Sequence, residues 1–194
     1  MATTNLSYYD KTTIPNAKPF RFGIVVSEWN SEITKNLQKG AINTLLDCGT
    51  ANGNIISWDV PGSFELVYGC KKMIQSEKVD AIIAIGNVIQ GETKHFDFVC
   101  EGVTQGIIDL NVKYDVPVIF CVLTDNTKQQ SLDRSGGKLG NKGIECAVAA
   151  IKMAAIKNQN KTIKNNLVKS ARTILCPIMV NIIVTKKDHK AIGL

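Results

Sequence analysis

The apolar positions of this chain alternate between two textures. Four runs are rich in β-branched residues, at Phe22–Val26, Asn54–Trp58, Val79–Ile85 and Val116–Leu123. The third and fourth are almost unbroken in Val, Ile and Ala, the pattern of strands covered on both faces, as in a parallel sheet. Between the runs, apolar residues recur at helical spacing. Ile33, Leu37, Ala41, Leu45 and Cys48 define a first helix, with Gly49 as its stop. Phe64, Val67, Tyr68 and Met73 mark a second, and Phe98, Gly102, Ile107, Leu110 and Tyr114 a third. Ile144, Ala147, Val148, Ile151 and Ala155 mark a long last helix, with Asn141 as candidate N-cap. The polar stretch Thr127–Ser135 holds a further helical turn or two.

The order βαβαβαβα predicts an α/β fold: an open parallel four-stranded sheet with right-handed crossovers, flanked by helices in a three-layer αβα sandwich. In such folds ligands gather outside the carboxyl ends of the strands. The segments to search are therefore Ser27–Asn30, Asp59–Glu65, Gly86–His95 and Thr124–Arg134.

Composition changes this picture only at the ends. A chain of 194 residues with 44% hydrophobic and 21% charged residues is an ordinary globular one with a single main domain. No run reaches the roughly 18 apolar residues of a membrane span. The polar segment Met1–Pro19 lacks the apolar run of a secretory signal, so a cytoplasmic protein is expected, with no membrane partner. The division expected is an N-terminal arm at 1–19, a domain at 20–157 and a basic tail at 158–194. The net charge of +6 sits in that tail, since residues 1–157 carry sixteen cations and sixteen anions. A basic tail can attract polyanions, but a neutral body argues for a solvated end and against a nucleic-acid partner. The six cysteines form no CxxC pair and fall largely in apolar segments, as reduced, mostly buried thiols do.

Candidate chemistry clusters after the strands. Gly86–Phe96 (GNVIQGETKHF) runs from a buried strand into a helix, and is either an ordinary turn or a cradle for phosphate built from helix-start N–H groups and the Thr93 hydroxyl. The P-loop pattern is absent. His95 is one of two histidines, and the other, His189, lies in the tail. At the ligand-facing edge it can exchange protons near neutral pH. No neighbouring spacing makes it a metal ligand. Arg134, in a glycine-rich stretch with Lys138 and Lys142, is either a solvated surface cation or a planar fork for phosphate. Trp29 and Asn30 can stack on and hydrogen-bond a planar heterocycle, or pack at a helix cap. Glu65 can bind a polyol, or favour a helix dipole.

Together Ser27–Asn30 (SEWN), Pro61–Glu65 (PGSFE), Gly86–Phe96, Pro117–Thr124 (PVIFCVLT) and Arg134–Gly143 (RSGGKLGNKG) resemble the lumazine synthase family, in its order and spacing from about Phe20 to Ile156. The resemblance implies a flavodoxin-like sheet and an enzyme of riboflavin biosynthesis. Its reaction condenses 5-amino-6-(D-ribitylamino)uracil with 3,4-dihydroxy-2-butanone 4-phosphate, without metal, flavin or nicotinamide. By position, Trp29 stacks on the uracil ring, where Phe is commoner, beside Asn30. Ser63, Phe64 and Glu65 hold the ribityl chain, Ser63 standing where Ala is frequent. Asn87, Val88 and Ile89 form a strip along the pyrimidine. Phe120 lines it from a neighbouring subunit, and Cys121 stands where Gly is common. Glu92, Thr93, Arg134 and Lys142 belong to the sugar-phosphate side, with the Glu92 carboxylate directed away from the phosphate. His95 transfers protons. The partners implied are two small-molecule substrates and copies of the same chain, in pentamers that in some members build icosahedral shells. The arm before Phe20 is placed to lie along a neighbour's sheet edge.

Other readings fit less well. A flavodoxin needs a Ser/Thr-rich phosphate loop after the first strand, and a receiver domain needs clustered acids there; Ser27–Asn30 supplies neither. A shell protein without catalysis, and a riboflavin synthase consuming lumazines, are separable by assay.

Overall fold

The computed structural model describes residues 7–159. The tail from residue 160 onward, including its apolar segment Thr173–Val184 and Cys176, lies outside the described residues. Six strands and five helices follow one another in the described part: β1 Phe22–Ser27, α1 Ser31–Asp47, β2 Ile55–Val60, α2 Leu66–Ser76, β3 Ala81–Ile89, α3 His95–Lys113, β4 Val118–Asp125, α4 Lys128–Arg134, β5 Ser135–Gly137, β6 Gly140–Asn141 and α5 over residues 142–159. The main sheet has the order β2-β1-β3-β4, all parallel, and β5 with β6 forms a small antiparallel hairpin.

Alternation along the strands divides the interior into two cores. Phe22, Ile24 and Val26 of β1, with Ile83 and Ile85 of β3, face Leu37, Ala41 and Leu45 of α1 and Ala147, Ala150 and Ile151 of α5. Val25, Ile82 and Ala84 face the other way, onto Leu66, Cys70 and Met73 of α2 and Val103, Ile107 and Leu110 of α3. The sheet is thus covered on both faces, the three-layer flavodoxin-like arrangement expected. No helix among the described residues is long and apolar enough to cross a membrane.

Several boundaries differ from expectation. β3 runs four residues past Ile85, because Gly86–Ile89 keep pairing with Val122–Asp125 of β4. Asn87, Val88 and Ile89 therefore stand on a strand end and not in a loop. β2 runs to Val60 after a 3-10 turn at Asn52–Asn54. The buried face of α2 is Leu66, Gly69, Cys70 and Met73, whereas Phe64 and Tyr68 are 58% and 67% exposed. The reason is Gly69: a Cβ there would meet Val25 at 2.8 Å and Val60 at 3.0 Å, so the bare backbone faces the sheet and the aromatics turn outward. Phe98, expected in the buried stripe of α3, is likewise 68% exposed.

From Ser7 onward the arm is held against its own chain. Asp47 accepts hydrogen bonds from Tyr9 Oη and Lys11 Nζ, both at 2.9 Å, Ser7 Oγ donates to the Asn141 carbonyl at 3.1 Å, and Ala17 and Ile14 pack into the first core.

Candidate active site

The cleft lies where the chain leaves β1, β2 and β3, at the point where strand order reverses. Three turns build it. After β1, Asn30 adopts a left-handed conformation (φ 56°, ψ 44°), which Asn tolerates better than most residues. Its carbonyl receives the first N–H groups of α1, from Ile33 and Thr34. Its side chain does not cap the helix but turns inward, donating to the Asn87 carbonyl at 3.4 Å. This sharp turn leaves Trp29 at the rim, 70% exposed.

After β2, Pro61 and Gly62 lead into Ser63–Glu65. Ser63, 5% exposed, donates to the same Asn87 carbonyl at 3.3 Å. Gly62 brings the backbone close to both cleft groups: a Cβ there would stand 2.9 Å from the Glu65 carboxylate and 3.5 Å from the Trp29 ring. Two cleft walls thus converge on one residue of β3. Asn87 is buried, and its Oδ1 has no hydrogen-bond partner.

After β3, His95 opens α3. Its N–H donates to Thr93 Oγ1 at 3.4 Å, and the side chain of Lys94, the residue before it, makes no capping bond. The resulting cleft of about 480 Å³ is lined by Trp29, Asn30, Ser63–Glu65, Asn87–Ile89 and His95, with Gly62, Phe98 and Val99. Every residue expected on the uracil and ribityl side except Phe120 is therefore gathered in one place, together with the proton-transfer candidate.

The remaining candidates lie elsewhere on the chain. Phe120 faces a separate groove with Phe98, Glu101, Gln105 and Thr124. Glu92 and Thr93 are exposed and outside the cleft lining. Arg134, the last residue of α4, is 16% exposed and held firmly. Its guanidinium donates to the Leu139 carbonyl at 2.9 Å and to Glu145 at 2.7 Å, and Lys142 holds the other oxygen of Glu145 at 2.9 Å. The reading of Arg134 as a mobile solvated cation is thereby corrected. Asn141 caps α5 as expected, its Oδ1 accepting from Gly143 N at 2.8 Å.

Glu145, Phe98 and Ser131 were not singled out from sequence. Glu145 had a faint signal in its i,i+3 spacing from Lys142. Phe98 was legible only as an apolar helix position. Burial pushes the Cys70 thiol up to about 12, and the described cysteines are free, as expected of small buried hydrophobes. Among the described residues, no group of three or more His, Cys, Asp or Glu is placed to hold a metal ion.

An aromatic-walled cleft at the carboxyl ends of parallel strands, with one histidine at its rim, defines an α/β enzyme that works on small polar molecules. The chain belongs to the 6,7-dimethyl-8-ribityllumazine synthase family, whose model matches residues 19–158. Relatives of that name include one from Flavobacterium johnsoniae, 70% identical over 82% of this chain and 85% of its own. Another, from Christiangramia forsetii, is 68% identical over 84% of this chain and 99% of its own. One from Phocaeicola vulgatus is 57% identical over 82% and 96%.

Proposed function

We propose that this chain condenses 5-amino-6-(D-ribitylamino)uracil with 3,4-dihydroxy-2-butanone 4-phosphate to give 6,7-dimethyl-8-ribityllumazine and phosphate. The observation that carries the reading is the single cleft shared by Trp29, Asn30, Ser63–Glu65, Asn87–Ile89 and His95. Trp29 stacks on the pyrimidine, the strip Asn87–Ile89 lies along its edge, and Glu65 takes hydroxyls of the ribityl chain. The 5-amino group attacks the ketone and water leaves to form an imine. Elimination then releases phosphate, the enol tautomerises, and ring closure by the ribitylamino nitrogen expels a second water. His95 takes and returns protons through these steps. Much of the rate comes from holding two substrates in register. Purified protein given both substrates should produce the lumazine, with phosphate released in equal amount. Consumption of the lumazine, or no product, overturns the reading.

The site draws on a neighbour: Phe120 of an adjacent copy lines the pyrimidine, and its Arg134 and Lys142 reach the phosphate side, beside Thr93 and the start of α3. Two observations support this. Those three residues stand outside the lining of their own chain's cleft. Large apolar side chains also remain exposed, namely Trp29, Phe64, Tyr68, Phe98, Ile108 and Val112, as on a surface that meets another chain. The minimum active unit is a homopentamer, and the short hairpin of β5 and β6 favours assembly of pentamers into an icosahedral shell. Light scattering at physiological salt checks this. An active monomer overturns the shared site, and a particle of about five chains removes the shell alone.

A further inference from the structure

Behind the cleft runs a chain of polar groups that the reaction as described does not use. Ile83 and Ile85 place the odd-numbered side chains of β3 on the α1 and α5 face, so the Asn87 side chain leaves the cleft and crosses to that face. Its Nδ2 donates to Ser131 Oγ at 2.9 Å and to the Leu123 carbonyl at 3.5 Å. The carbonyl accepts only, which fixes which end of the amide points there. Ser131, fully buried, donates its one proton to Asp125 Oδ2 at 2.6 Å. The direction of the relay is therefore set: amide to hydroxyl to carboxylate, ending in a short charge-assisted bond. The Asp125 carbonyl in turn accepts from Gln90 N at 2.9 Å, which ties the ends of β3 and β4 together.

Ser131 lies on α4, one turn before Arg134. With 7 residues, α4 is too short to hold its position by its own hydrogen bonds, and depends on what grips it. Its capping box of Thr127 and Gln130 shapes the first turn, and Lys128 pairs with Glu32 in an exposed bridge of little strength. Leu132 packs against the first core, and Ser131 supplies the buried side-chain hydrogen bonds that join α4 to β3 and β4.

We propose that Asn87, Ser131 and Asp125 are positioning residues that tie the floor of a chain's own cleft to the helix carrying the Arg134 it lends to the next. The inference rests on the shared-site reading above. One end of the relay is the residue on which Asn30 and Ser63 converge, and the other is the helix that ends at the phosphate ligand. A displacement of Asn87 toward or away from a bound pyrimidine is thus passed to α4.

Steady-state kinetics of Ser131→Ala in the assembled enzyme test it. The relay predicts that KM rises roughly three- to tenfold for both substrates, the effect of losing about one buried hydrogen bond, while kcat falls less. The double variant N87A/S131A removes the stranded amide as well. It should recover most of the melting temperature lost by the single variant and still keep both raised KM values. Wild-type KM values in either variant, with only the melting temperature lowered, make the relay structural and overturn the proposal. A rise confined to the ribitylaminouracil overturns the link to Arg134. Failure of the function reading shows separately, as a wild-type enzyme that forms no lumazine.

Discussion

The two polar regions of this chain are built on opposite terms. In the cleft, groups are left open: Trp29, Phe64 and Phe98 stand exposed, and the Lys94 side chain makes no capping bond to α3. Around Arg134, every strong group is matched. The guanidinium holds a carbonyl and a carboxylate, Lys142 holds the second oxygen of Glu145, and Lys138 bridges to Asp133 at 3.0 Å. The cleft presents aromatic rings to solvent, whereas the cation cluster is held in position by its own chain. That difference suits a site made of two halves, since a group delivered to another chain must be aimed by its own chain first.

The comparison breaks most sharply at His95. His95→Ala is expected to lower turnover roughly ten- to a thousandfold, within or below the usual range for a general acid–base group, with KM values little changed. Single-turnover kinetics check it, and unchanged turnover removes His95 from the chemistry.

Arg134→Ala comes next. It should raise KM for the sugar phosphate by roughly ten- to a hundredfold through loss of a charge-assisted contact, and KM for the ribitylaminouracil far less. Equal loss for both would make Arg134 a support of the fold. Glu145→Gln sharpens the same point more gently. The guanidinium loses the charge that aims it, so the sugar-phosphate KM should rise about two- to fivefold. A fall would mean that the carboxylate competes with the phosphate.

The smallest effect concerns the arm. Hydrogen bonds from Lys11 and then Tyr9 hold the Asp47 carboxyl below its usual range. A depressed folded pKa contributes stability above the unfolded value and loses it as pH falls through the folded one. Asp47→Asn should therefore lower the melting temperature slightly at neutral pH and not at all well below the ordinary carboxylate range. Equal loss at both pH values would leave the ion pair without a role.

Much of this was legible in the sequence, for physical reasons. Strands covered on both faces must be apolar throughout, so β1, β3 and β4 stood out, and the parallel sheet followed from their spacing. The cleft followed because such sheets bind at their carboxyl ends, and His95 because the body of the chain has no other histidine. Phase was less legible where a glycine faces the core. Gly69 hands the buried position to bare backbone, so Phe64 and Tyr68 were read as inward when they face out. The Asn87–Ser131–Asp125 link spans three elements, and no local pattern announces it. The pairing of Arg134 with Glu145 was equally hidden, because a charged loop looks solvated until its partner is placed.

The central claim, that one catalytic site is divided between two chains, is tested most directly by mixing two impaired enzymes at a sugar-phosphate concentration well below the KM of the Arg134→Ala variant. His95→Ala and Arg134→Ala subunits would be unfolded together and reassembled in equal amounts, then assayed for lumazine formation. A divided site predicts that a chain with an intact His95 meets a neighbour with an intact Arg134 at about a quarter of the interfaces of a random ring, restoring about that share of the wild-type rate. If every site is built within one chain, the mixture is no more active than its two components, and the account fails.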